Sequence, residues 1–182
     1  MGMYVYKMFN PGLVCRGYQF KVGVNECEHA TCVKEGFHAA ENPLDCLSYY
    51  SEFDKSECWL CYASGDVHED GSDSKISCTH LEILRRLNKQ DFVCAALQYV
   101  VDHPKREISH QINRERGEVS LNGFAIVMGQ NPLVKVSNEG DVVGWIKTDA
   151  GGDIVKISMM VCTAEMVGKW FNAYGREMEG CD

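Results

Sequence analysis

The chain has 182 residues, 45 % of them hydrophobic, with 17 glycines and 4 prolines, and it sets 18 Lys and Arg against 26 Asp and Glu for a net charge of −8. That length suits one well-buried domain or two small ones sharing a core, and no window holds the uninterrupted apolar run that a membrane span requires. The sign of the charge argues against direct binding to phosphate backbones and for solubility or a basic partner.

The opening run MGMYVYKMFNPG lacks the basic-then-apolar layout of a secretory signal and predicts a cytoplasmic chain. In that reducing compartment the ten cysteines are expected to be thiols, most of them packing residues. YVYKMF and GYQFKVG alternate as two strands, with Asn10, Pro11 and Gly12 supplying turn chemistry between them. ATCVKEGFHA reads as a second short strand pair, bent at Gly36 before Phe37 and His38.

In ENPLDCLSYY, Asn42 is placed as an N-cap and Pro43 at the first helical position, where its missing N–H costs nothing. Leu44, Leu47 and Tyr50 then share one side of a short helix. SECWLCYAS returns to strand, with Cys58, Leu60 and Tyr62 on one face and Trp59 and Cys61 on the other. SGDVHEDGSDSK gathers Asp66, Glu69, Asp70 and Asp73 into an exposed turn or hairpin tip with a strongly negative local field. After the strand KISCTHLEIL, the run QDFVCAALQYVVDH places Phe92, Ala95, Ala96, Tyr99 and Val100 at helical spacing, ended by Pro104.

Residues 105–117 lean basic and are taken as the boundary between two lobes. From Glu118 onward four or five short strands are expected, broken at Asn122-Gly123, Gln130-Asn131-Pro132, Asn138-Glu139-Gly140 and Gly151-Gly152. The whole is an α+β fold: an N-terminal mixed strand and helix lobe over 1–104, a connecting segment over 105–117, and a β-rich lobe over 118–182 built as a meander or a short solenoid-like stack.

Chemistry-bearing patterns are few. Cys58-Trp-Leu-Cys61 has CxxC spacing but no second pair at the interval a structural zinc site needs, and on a strand its thiols face opposite ways. Cys27, His29, Cys32 and His38 match no common zinc spacing. The acidic run does not place its carboxylates at EF-hand positions, so a solvated loop is the default and a protein-binding acidic patch the functional alternative. No nucleophile motif pairs with His38, and the corner around it is read as architectural. Catalytic, cofactor and metal residues are therefore set at none.

The segments YKMFNPGLVCRGYQFKVG, EGFHAAENPLDCLSYY and GDVHEDGSDSKIS, between Tyr6 and Ser77, resemble a domain of unknown function common in bacteriophage and mobile-element proteins. The likeness continues more loosely through Phe92–Val101 into GFAIVMGQNPLVKV. Within that family the chain resembles type II-A anti-CRISPR proteins, inhibitors of the single-chain RNA-guided DNA endonuclease of a bacterial host. This resemblance implies a partner, the type II CRISPR endonuclease loaded with guide RNA, whose engagement or cutting of DNA is hindered in the host cytoplasm. It carries no residue assignments.

Such a nuclease holds nucleic acid in cationic channels, which carboxylates can occupy by DNA mimicry. Asp66, Glu69, Asp70 and Asp73 are the first candidates for that contact, Glu26 and Glu28 the second. GFHAAENPLDCLSYY is also loosely similar to the strand-to-helix stretch beside the nicotinamide pocket of ADP-ribosyltransferases, without their arginine or histidine on the opening strand or their catalytic glutamate. A non-enzymatic phage structural or interaction protein is the third expectation.

Overall fold

A computed structural model describes residues 2–31, 35–69 and 73–179. It is mostly β, 49 % strand and 15 % helix, with a single α-helix among the described residues. The chain divides into two compact units, Met1–Asn88 and Lys89–Asp182. No helix among the described residues is long and apolar enough to cross a membrane.

The first unit contains β1 (Met3–Phe9), β2 (Val14–Cys15), β3 (Tyr18–Gln19), β4 (Gly23–Glu26), β5 (Phe37–Ala40), β6 (Glu57–Glu69) and β7 (Lys75–Arg86). Their order is β4-β7-β5-β1-β6, and β6 also pairs with β7, so four strands close into a barrel-like ring with β4 added on β7. The expected α+β class with a helix-bearing N-terminal lobe is corrected: among its described residues this unit holds only 3-10 turns beside its strands, and the α-helix falls in the second unit.

Period-two alternation explains the ring. Val5 and Phe9 of β1, Phe37 and Ala39 of β5, Cys61 and Ala63 of β6, and Ile76 and Cys78 of β7 all turn inward. One end is filled by aromatic rings, with Phe20 5.1 Å from Phe9 and 5.0 Å from Phe37, centroid to centroid. Asp66 N–H donates to Thr79 Oγ1 at 2.9 Å beside Gly65 at φ +78°, where the β6–β7 register shifts in a bulge. β6 therefore extends as far as Glu69, so Asp66 and Glu69, expected in an exposed turn or hairpin tip, lie on the strand.

The cap at Asn42 is as read from sequence, while the turn at Arg16-Gly17 falls where a strand was expected to begin. Arg16 and Gly17, both at positive φ, close the β2–β3 hairpin in the manner of a two-residue primed turn. Asn42 Oδ1 accepts from Leu44 N–H at 3.1 Å and Pro43 opens the turn of helix, but Pro43–Ser48 is 3-10. The spacing of three between Leu44, Leu47 and Tyr50 is that of a helix with three residues per turn, and both leucines are buried. Gly36, at φ +88°, has no room for a side chain, because a Cβ there would lie 2.8 Å from Ala30 Cα.

The second unit contains α1 (Lys89–Asp102), β8 (Asn113–Glu118), β9 (Phe124–Lys135), β10 (Val142–Thr148), β11 (Ile154–Val161), β12 (Trp170–Asn172) and β13 (Glu177–Met178). α1 buries Phe92, Val93, Ala96, Leu97 and Val100 and ends before Pro104. It lies close against β10 because Gly144 there offers no side chain, so Val93 and Leu97 reach its backbone.

β8 pairs in parallel with β9, and β9 in parallel with β10, while β11 folds back antiparallel on β10, β12 pairs antiparallel with β9, and β13 with β12. β9 does not stop at Gln130-Asn131-Pro132. The register with β8 jumps there, between Met128 and Leu133, and the Glu115 carboxylate accepts the Gln130 and Asn131 N–H groups at 3.0 and 3.2 Å. Glu115 itself sits at φ +58°, which lets it reach across the kink. Val127, Val134, Val143, Trp145 and Phe171 form the core of the unit, and Trp145 Nε1–H donates to the Phe171 carbonyl at 3.2 Å.

Candidate functional site

The ring of the first unit is not evenly closed. β1 pairs with β6 along its whole length, from Met3 to Phe9, but meets β5 at one pair only, Tyr6 and Ala40. Beyond that pair the two strands part and leave backbone groups of β1 without a strand partner on that side. A cleft of about 620 Å³ occupies the gap, within the range of small-molecule sites.

Two side chains take over from the missing ladder. Lys7, on the inward face between Val5 and Phe9, donates its Nζ to the His38 carbonyl of β5 at 2.5 Å. Cys46 of the 3-10 turn donates to the Tyr6 carbonyl at 3.5 Å, and the Met8 N–H lies against its sulfur. Burial pushes the Cys46 thiol up to about 12, the nearby Lys7 ammonium pulling weakly the other way. The thiol is therefore neutral and serves as a filler.

Lys7 is the unusual member. It is only 6 % exposed, and besides the carbonyl its ammonium touches two aromatic faces, with Phe9 and Phe20 centroids both at 5.3 Å. Among the described residues no carboxylate pairs with it. An ammonium taken from water costs several kcal/mol, on the order of magnitude of a whole domain's stability, unless charge and hydrogen bonds compensate.

The rim of the cleft is basic and aromatic. Arg16 comes from the tip of the β2–β3 hairpin and Lys75 from the start of β7, where its Nζ donates to Tyr49 Oη at 2.9 Å. Tyr50 donates to Cys15 Sγ at 3.3 Å; its phenol is pushed up by burial and by that contact, with the Arg16 charge opposing. The carboxylate in the lining, Asp45, is held by Ser74, accepting from its N–H at 3.1 Å and its hydroxyl at 2.7 Å. In a chain of net charge −8 this cleft is locally cationic.

Residues 3–96 match the model of a family described as a domain of unknown function, DUF7666. The chain belongs to that family. No curated protein and no solved structure matches it. The DUF7666 segment takes in every strand of the first unit, the whole cleft lining, and α1 as far as Ala96.

The residues singled out from sequence lie elsewhere on this unit. Glu26, Glu28, Asp66 and Glu69 are exposed. Glu26 faces His80 at 3.4 Å and Asp66 faces His68 at 3.3 Å, so two of the four stand beside an imidazole. Strand alternation sends Asp66 and Glu69 to opposite faces of β6. Asp73 caps the start of β7, accepting the Lys75 N–H at 2.8 Å, and Asp70 lies outside the described residues.

Cys58 and Cys61 sit on opposite faces of β6, opposite Met8 and Val5 of β1 respectively. Both are buried, and burial raises the Cys61 thiol to about 12 and the Cys58 thiol well above its ordinary value. No group of three or more metal-ligating side chains occurs among the described residues. His38 is half-buried on β5 and contributes its carbonyl to Lys7.

Sequence reasoning passed over Lys7 and Arg16. The available signal was a lysine at an inward position of an alternating strand, between Val5 and Phe9.

Proposed function

We propose that the first unit is a binding module that takes a small anionic ligand into the split seam between β1 and β5. One observation carries this: a buried lysine among the residues lining the cleft, its ammonium in contact with a carbonyl and two ring faces and with no carboxylate partner among the described residues. An anion entering the cleft would supply the missing countercharge in a partly desolvated setting, where such contacts are strongest. Calorimetry of the full chain with acetate, inorganic phosphate and succinate tests it. Saturable binding by the wild type, lost in a folded Lys7→Met variant, is expected; a folded wild type that binds none of the three overturns the proposal.

The exposed carboxylates of Glu26, Glu28, Asp66 and Glu69, with the net charge of −8, support a second function, docking on the cationic channel of a guide-loaded type II CRISPR endonuclease. The separation of Asp66 and Glu69 on two faces of β6 and the histidine neighbours of Glu26 and Asp66 weaken it relative to the cleft. Capture of the nuclease with guide RNA as bait at several salt concentrations decides it. Neutralising Asp66, Glu69, Asp70, Asp73, Glu26 and Glu28 together is expected to abolish capture; retention by that variant, or a potency indifferent to salt, removes this function.

A further inference from the structure

Resting on the anion-binding reading of the seam, we infer that its ligand carries two negative charges, one met by Lys7 in the depth of the cleft and the other by Arg16 at its rim. Of the charged side chains in the lining, Asp45 and Lys75 bring opposite charges and leave no net requirement. That leaves Lys7 and Arg16, neither of which has a carboxylate within ion-pair distance among the described residues. They come from different elements, β1 and the β2–β3 hairpin tip, so the two cations are independent fixtures of one cleft.

Arg16 is held there by its backbone. It occupies φ +49° next to Gly17 at φ +79°, a two-residue turn that fixes the hairpin tip, and the neighbouring Cys15 is tied to Tyr50 by the phenol-to-thiol hydrogen bond. Arg16 is exposed and lines the same cleft as Tyr50. A guanidinium offers a planar fork to a carboxylate or phosphate, while an ammonium acts as a point charge. By charge, an ammonium and a forked guanidinium lining one cleft match a phosphate monoester, whose group bears close to two charges near neutrality, or a short dicarboxylate.

The closing experiment compares phenyl phosphate, succinate and acetate by calorimetry on the full chain, in wild type and in Arg16→Gln. For the wild type, at least one dianion is expected to bind about tenfold or more tightly than acetate, as one added ion contact near a protein surface implies. Preference for phenyl phosphate over succinate assigns a phosphate ligand, and the reverse a dicarboxylate. Arg16→Gln should bring the dianion down to the acetate level, its fold being checked by circular dichroism. Equal binding of all three by the wild type, or a preference that survives Arg16→Gln, overturns the two-charge inference while leaving an anion site in place. Failure of every probe overturns the site itself.

Discussion

Each unit interrupts a β-ladder, and the two interruptions are handled differently. In the second unit the kink of β9 at Gln130–Pro132 is sealed from within: Glu115 takes two N–H groups, and Lys147 donates to the Gln130 carbonyl. In the first unit the parting of β1 from β5 is bridged by a lysine and a thiol, and a cleft remains. Backbone polar groups must be paired in either case. An interruption met by exposed or half-buried charged side chains of neighbouring strands buries no charge, whereas one paired by a buried cation leaves charge that a ligand can meet.

The largest effect that separates the units is alkaline. Burial raises Cys46, Cys61 and Cys78, all in the first unit, from about 9 to about 12. A thiol whose folded value lies above its unfolded one keeps its proton longer in the native state. Its stabilising share is therefore complete below about pH 9 and is lost progressively as the pH climbs towards 12. The slope is about 1.4 kcal/mol per pH unit for each thiol, so three together remove about 4 kcal/mol by one unit above the unfolded value. In the second unit Cys162 is raised to about 11. Fluorescence of Trp59 should report unfolding of the first unit at lower pH than Trp145 reports for the second, in variants retaining one or the other. Coincident transitions would mean that thiol burial does not distinguish them.

Next in size is Gly36→Ala at the entry to β5. Both the left-handed backbone and the 2.8 Å approach to Ala30 Cα forbid the added methyl without movement of the strand. A loss of about 3 kcal/mol in urea unfolding is expected, from backbone strain and overpacking together. Because β5 forms one wall of the seam, anion binding should weaken in step. Smaller is Glu115→Gln in the second unit, which exchanges a charged acceptor for a neutral one at the kink. About 1 kcal/mol should go, and the first unit's ligand binding should not change, since the two interruptions are separate devices.

What the sequence made legible was local. Asn42 and Pro43 announced a helical turn because capping depends on neighbours two residues away, and α1 announced itself through its apolar spacing. The ring was hidden because its closure joins β1 to β6, and β5 to β7, across long stretches of chain whose pairing no local pattern specifies. Pro132 misled for a related reason. A proline with polar neighbours reads as a break, and the carboxylate that carries β9 through it belongs to Glu115 on another strand. The acidic residues drew attention through their number, yet charge density along a chain does not say which face each carboxylate takes, and β6 divides Asp66 from Glu69. The site candidate instead arose from a single lysine whose importance lies in its burial.

The smallest predicted effect is also the most discriminating, because its sign is unusual. In the absence of ligand, Lys7→Met exchanges a buried ammonium for an apolar chain of similar length. It gives up one hydrogen bond to the His38 carbonyl and two ring contacts, and it removes the cost of holding a charge out of water beside the aromatic cluster. Replacing buried charge by apolar volume is commonly neutral or favourable, so the ligand-free variant should be more stable by about 1 kcal/mol. If Lys7 were retained only to close the seam, its loss would destabilise the first unit and β5 would detach from β1. A chain that gains stability yet loses its anion would show that the ammonium is kept for what enters the cleft. The measurement is a pair of urea curves, with and without saturating ligand: the two should separate for the wild type and coincide for the variant.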